Sequence, residues 1–456
     1  MRTRARVVRC RVLVVTDVTA VTMDADRRVI ADAAITIDGT RIVAVGKATD
    51  LVDHHPDAER VEGRGMLALP GFVDAHAHAD QSLLRGRTDD LPWIPFITEY
   101  VTPYLTRRDP AVAVVAYRLA MLEMIRSGTT CFVSPNVDPR DDLDALTTAI
   151  DTMGVRAVLA HWVDGPDTLD LASAAVEHRD GTAAGRIKVR FGLDIPRLAA
   201  DRYQPGLYRA AAERADALGS GLVSHFCSET EDWTYYEDRF GLRPTQWAAD
   251  QGILGPTTLL INGCWLTAVE AGILAATGTP VVASPTATMK MASGVTPVRD
   301  LRDAGVVVAL GTDGAANNNT FDLIREMKAA CLGQNSSRRR AGTLTAEDAL
   351  EMATIDGARA LGQADEIGSL EPGKRADLIL VDLARAHTWP VADPIANLVY
   401  AAHGGNVDTV IVDGRVLLRH GELAGVDEAA ILADAARAAT EAARVLPVRA
   451  RRWRYE

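Results

Sequence analysis

The chain has 456 residues, 48% hydrophobic and 24% charged, which makes it an ordinary globular sequence too long for one small core and unlike a disordered tail. A net charge of −12 argues against nucleic acid and anionic membrane as partners. No apolar run reaches the roughly 18 residues of a membrane-crossing helix.

Residues 1–16 are basic and then apolar, but the apolar run is too short for a secretion signal. Five cysteines, Cys10, Cys131, Cys227, Cys264 and Cys331, show no Cys-x-x-Cys spacing and read as free thiols in a reducing compartment, so a cytoplasmic protein is expected. Residues 9–62 hold short β-rich runs. A hairpin is signalled at Asp38-Gly39, between Ala34-Ile35-Thr36-Ile37 and Ile42-Val43-Ala44-Val45.

From about residue 66 apolar strands alternate with helices. Strands are predicted to end near His76, Ser134, His161, Asp194, His225, Asn262, Ser284 and Gly311. One intervening helix spans 110–127, with Pro110 in its first turn and Gly128 after its last. Eight strand-then-helix units in series, with fully apolar strands such as Thr258-Leu259-Leu260-Ile261, imply an α/β fold, a (β/α)8 barrel of the TIM type over residues 66–362. Past Gly362 short strands return at Leu378-Ile379-Leu380-Val381 and 407–414. Residues 1–62 and 365–456 are therefore expected to form a second, small β-sandwich domain built from both chain ends.

In such a barrel the C-terminal ends of the strands line the active site. Pro70-Gly71-Phe72-Val73-Asp74-Ala75-His76-Ala77-His78 ends the first strand in two histidines one residue apart, whose side chains point to the same side. His225 ends the fifth strand and Asp313 the eighth. Three imidazoles and one carboxylate suit one divalent metal ion, zinc first and iron(II) second, with room left for water. Near the same end stand His161, after the third strand, and Trp93 and Trp265, in segments that follow the first and sixth strands. An indole there could stack on a flat heterocycle. Asn317, just past Asp313, could orient substrate or cap the following helix.

These motifs resemble the amidohydrolase superfamily, in its cytosine-deaminase-like branch of purine, pterin and triazine deaminases and chlorohydrolases. The resemblance is carried by Leu69 to His78, Ser127-Gly128-Thr129-Thr130, Ala309-Leu310-Gly311-Thr312-Asp313-Gly314, Gly368 to Leu378 and Val412-Asp413-Gly414-Arg415. It implies His76, His78, His225 and Asp313 as metal ligands and a small heterocyclic substrate deaminated by metal-activated water. A homodimer or homotetramer is also expected.

Four positions depart from the family's pattern. The family's glutamate three residues after the fifth-strand histidine is Ser228 here, and Glu229 takes its place only if one extra residue bulges out. The sixth-strand histidine is Asn262, which can donate a hydrogen bond to an oxyanion but cannot relay a proton. The strand-seven position is Ala283-Ser284-Pro285, and the Pro-His pair after strand four is Pro196-Arg197. Asp313, Glu229 and Asn262 are thus the catalytic candidates. Two function classes stay open: a hydrolase, which the four intact ligands favour, and a metal-retaining protein with other chemistry or only binding, which the missing histidine favours. C–Cl or ring-amide hydrolysis, elimination and rearrangement belong to those other chemistries.

Overall fold

A computed structural model describes residues 12–193, 196–197, 204 and 206–447. Cys10, Asp194 at the expected end of the fourth barrel strand, Ile195 and the arginine-rich 449–454 lie outside the described residues. The barrel strands are Phe72–Asp74, Thr129–Val137, Arg156–Val163, Ile187–Leu193, Leu222–Phe226, Thr258–Asn262, Val281–Ala283 and Val308–Leu310, each parallel to the next. Short hydrogen-bonded contacts bring the last strand round to the first. Ala75 N donates to Leu310 O at 2.9 Å, Asp313 N donates to His76 O at 2.8 Å, and Asp313–Gly314 pairs with Ala77–His78.

Alternate side chains of these strands fill the interior. Val73, Cys131, Val133, Val158, Ala160, Val223, Leu259, Ile261, Val282 and Ala309 form one buried cluster, so the barrel is a packed core and not a pore. The opposite faces meet the helices, which is why the strands read as continuous apolar runs. The helix expected over 110–127 spans Val112–Arg126 and ends at Gly128. Gly128 has φ +90°, and a Cβ there would lie 3.2 Å from the Phe72 ring, so the turn needs glycine for both conformation and space.

The chain ends share one sheet. Among the described residues it has nine strands, with Leu67–Pro70 near its middle, parallel to Leu13–Val21 on one side and antiparallel to Leu378–Val381 on the other. Val29–Asp38 and Arg41–Lys47 form the hairpin signalled by Asp38-Gly39. Val15, Ile35, Ile37 and Ile42 from the N-terminal part pack with Leu378, Leu380 and Ile411 from the C-terminal part. Arg156 on the third barrel strand ties the two bodies together. Its Nε lies 2.5 Å from Asp377 Oδ2, and its guanidinium also reaches Asp413, with all three groups buried.

The last helix, Glu428–Ala442, leaves the sheet and returns to the barrel, where Ala435 and Ala438 pack with Leu83 and Ala116. Among the described residues no helix is long and apolar enough to cross a membrane.

Candidate active site

The ligand residues converge because the strands that carry them do. The His78 and His225 Nε2 atoms are 3.3 Å apart, and the three histidine rings have centroids 4.8 to 5.3 Å from one another. Asp313 Oδ1 lies 3.4 Å from His76 Nε2 and 3.7 Å from His78 Nε2. Gly311 permits this convergence, since a Cβ at that position would sit 2.6 Å from His76 Cβ. Asp74 fixes the loop that presents Asp313, accepting hydrogen bonds from Thr312 N at 2.9 Å and Thr312 Oγ1 at 2.6 Å.

The donor set fits a divalent cation. His76 is fully buried, and neither of its ring nitrogens makes a hydrogen bond, a costly arrangement unless a ligand bond takes its place. Burial, reinforced by neighbouring His76, pushes His78 down to about 3, so its imidazole is neutral and able to ligate at ordinary pH. The same two causes hold His225 well below the usual histidine range. Burial alone would raise the Asp313 carboxyl, but the surrounding histidines hold it far below the usual carboxylate range. Three imidazoles and an ionised carboxylate are the mixed set that zinc and iron accept.

These groups open onto a cavity of about 460 Å³, lined by His78, His225 and Asp313 at one end. A segment after the first strand supplies an apolar wall. It runs through Trp93–Pro95, a π-helical stretch Phe96–Val101 and the helix Thr102–Arg107, and it turns Trp93, Phe96, Ile97, Val101 and Leu105 toward the space.

Past His225 the backbone turns sharply. Cys227 takes φ +50°, immediately after the fifth strand. Ser228 thereby faces the cavity. Asp232 holds the turn by accepting from Ser228 N at 2.8 Å and Glu229 N at 2.9 Å, and Arg197 Nε binds the other Asp232 oxygen at 2.8 Å. Glu229 is half-buried and accepts a hydrogen bond from the hydroxyl of Ser293, a cavity residue. Burial, aided by Asp232 and Glu231, raises its carboxyl above the ordinary range, against the opposing hydrogen bond from Ser293. Asn262, at φ +76°, donates from Nδ2 to Ser228 Oγ at 3.1 Å, while its Oδ1 is buried without a partner.

Of the residues singled out in the sequence, His78, His225, Asp313, Asn262, Trp93 and Asn317 line the cavity. Arg197 stacks over the Trp93 ring at 4.9 Å, and Asn317 Oδ1 accepts from Gly314 N at 3.0 Å. His161 and Trp265 are not among the lining residues. Trp162 shares the inward parity of Val158 and Ala160, so it is Trp162 that meets the cavity; His161, one residue earlier, falls on the side of Ala157 and Leu159 toward the helices. Trp265 is 40% exposed and donates its indole N–H to Ser293 O at 2.8 Å, so it supports the wall from behind. Glu229 reaches the cavity only through Ser293. Sequence reasoning passed over Asp80, Gln81, Asn136, Trp162 and Ser293, all lining residues. Strand parity could have found Trp162. Nothing in the sequence marks the others.

A barrel with this ligand set at its C-terminal end defines a metal-dependent hydrolase, and comparison with known proteins gives its family. The model of the amidohydrolase family matches residues 67–417. The 5-methylthioadenosine/S-adenosylhomocysteine deaminase of Moorella thermoacetica is 38% identical over 410 residues, covering 89% of this chain and 94% of that protein. The 5'-deoxyadenosine deaminase of Methanothermobacter thermautotrophicus is 37% identical over 395 residues, covering 84% of this chain and 90% of that protein. The crystal structure of a zinc-bound adenosine deaminase from Xanthomonas campestris superposes with a TM-score of 0.90 at 28% identity, over 95% of this chain and 99% of that one. The chain belongs to the amidohydrolase family.

Proposed function

We propose that this protein is a hydrolytic deaminase of an aminated nitrogen heterocycle, with one zinc ion held by His76, His78, His225 and Asp313. The observation that carries the reading is the convergence of three imidazoles and one carboxylate on a cavity large enough for a fused ring and its substituent. The names of the relatives support adenine nucleosides as the first substrates to test. A cytoplasmic homodimer or homotetramer remains our working assignment.

When bound, the ion supplies a water acidified to a pKa near 7. Asp313 accepts the proton of the attacking water at its carboxylate. Protonation of the ring nitrogen needs an acid, and Glu229, with its raised carboxyl and its contact to Ser293 at the cavity edge, is the candidate. Ser228 Oγ accepts from Asn262 Nδ2, which leaves the serine O–H proton free to be donated into the cavity. Asn262 therefore positions Ser228, and the pair supports charge developing on oxygen where the family's histidine would stand. The apolar wall of Phe96, Ile97, Val101 and Leu105 excludes water from the side away from the ligands.

The test is ammonia release from adenosine, 5'-deoxyadenosine, 5'-methylthioadenosine and S-adenosylhomocysteine, together with aminated pyrimidines, pterins and triazines. Stoichiometric ammonia from at least one is expected. Conversion without ammonia, as chloride release or ring opening, would transfer the assignment to the other chemistries that Asn262 keeps open.

A further inference from the structure

We infer that the substrate carries an apolar substituent, an alkyl or aryl group, beside its aminated ring, and that Ile97, Val101 and Leu105 select this group over hydroxylated or charged ones. The inference rests on the deaminase reading and names the class of compound that the site takes. Ile97, Leu105 and Met291 line the cavity and are only half-buried, packed at the edge of the cluster that holds Phe96 and Val101. Half-buried aliphatic side chains inside a cavity leave apolar surface in water. A ligand that covers this surface gains affinity in proportion to the area it buries.

The backbone makes this surface a stripe. In the π-helical stretch Phe96–Val101 the hydrogen bonds run between residues five apart, which stacks Val101 over Phe96, and the helix Thr102–Arg107 carries Leu105 one α-turn further on the same face. From Ile97 to Leu105 the stripe is roughly 10 Å long, more than a methyl group needs. Polar atoms of the segment do not interrupt it. Thr98 Oγ1 donates to Ile94 O at 2.9 Å and Thr106 Oγ1 to Thr102 O at 2.8 Å, so these two lining hydroxyls give their protons to their own helix. The stripe is also fixed, because Arg140 donates to Thr106 O at 3.0 Å and to Leu105 O, and Tyr104 donates its hydroxyl to Asp80 O at 3.0 Å. A wall held in place before binding loses little freedom when an apolar group settles on it. Among the described lining residues none is a lysine or arginine, and Arg197, over the Trp93 ring at 4.9 Å, pairs with Asp232 at 2.8 Å. A carboxylate laid along the stripe would lose water and gain no cation from these side chains.

The experiment uses the metal-loaded full chain and aminated purines, pyrimidines and triazines that bear hydrogen, butyl, benzyl, hydroxyethyl or carboxyethyl at one ring position, with 5'-methylthioadenosine set against S-adenosylhomocysteine. Turnover is read as ammonia. Binding is read on analogues that lack the leaving amino group, as the change in indole fluorescence, since Trp93 and Trp162 line the cavity. In at least one ring series the butyl or benzyl member should exceed the hydroxyethyl and carboxyethyl members by about 10- to 100-fold in both readouts. Leu105→Ala should cut the butyl-over-hydrogen ratio by about 5- to 20-fold, and Leu105→Lys should raise the carboxyethyl member while lowering the butyl one, a reversal that general damage to the fold would not produce. Ile97→Ala serves if the Leu105 variants do not fold, with melting temperature and metal content as controls. Equal binding of apolar and charged members by the wild type, binding of no apolar member, or variants that lower every member equally would overturn the inference. Absence of ammonia from every compound would sink the deaminase reading alone, because the binding measurement still decides the role of the wall.

Discussion

His76, His78, His225 and Asp313 hang from strands whose backbones are hydrogen-bonded to one another, and their positions follow from sheet register. Glu229, Ser293 and Trp265 hang from segments held mainly by side chains: Asp232 under the turn at Ser228, and an indole N–H on Ser293 O. The comparison teaches that one mouth of a barrel can hold two kinds of construction. Ligand geometry there is bound to the fold and resists change. The groups proposed to handle protons hang from loops instead.

The largest expected effect belongs to the strand-held half. His76→Ala and Asp313→Ala should each lose the metal and reduce turnover to background, as read by metal analysis beside the ammonia assay. Full metal content in both variants would break the comparison at its firmer end.

Next comes Glu229→Gln, expected to lower turnover by about 10²–10⁴-fold with the metal retained. An acid works in its protonated form, and burial raises this carboxyl, so turnover should fall as pH rises through that raised pKa. In Glu229→Gln this alkaline limb should vanish. A variant of near wild-type rate with the limb intact would place the acid elsewhere.

Asn262→Ala and Ser228→Ala should each cost on the order of 10²-fold. The double variant should be little worse than either single one, because the two residues act as a unit. Independent, multiplying losses would show that Asn262 does not work through Ser228. The smallest effect is expected of Trp265→Phe, which removes one hydrogen bond behind the wall and should shift kcat/KM by roughly 3- to 10-fold. A loss as large as that of Glu229→Gln would mean that Trp265 touches substrate.

The same division explains what could be read from the sequence. His-x-His after an apolar strand, a histidine at the end of the fifth strand and Gly-Thr-Asp at the end of the eighth are local signals, and the eightfold alternation places them at one end. The position of His161 at an expected strand end leaves open whether it faces the site or the core, and the alternation of Val158 and Ala160 turns Trp162 inward instead. Glu229 is expected in the site only if one residue bulges out after His225; the fifth and sixth strands pair without a register shift, and Glu229 meets the lining residue Ser293 while Ser228 lines the cavity itself. Asp80 carried no signal at all, because its place in the cavity lining follows from the tertiary fold. The helix Glu428–Ala442 was also passed over, and its alanine face packs against Leu83 and Ala116.

The placement of Leu67–Pro70 in the shared sheet bears on how the molecule is made. This strand leads directly into the one that carries His76, and its antiparallel neighbour, Leu378–Val381, is synthesised only after the entire barrel. The buried Arg156 likewise meets Asp377 and Asp413 only when the end of the chain arrives. A nascent chain stopped after the eighth barrel strand would contain every metal ligand yet leave one edge of that sheet unpaired and Arg156 without its carboxylates. Assembly of a competent enzyme is thus gated by completion of translation, and truncation from the C-terminus should damage the mouth of the barrel from a distance.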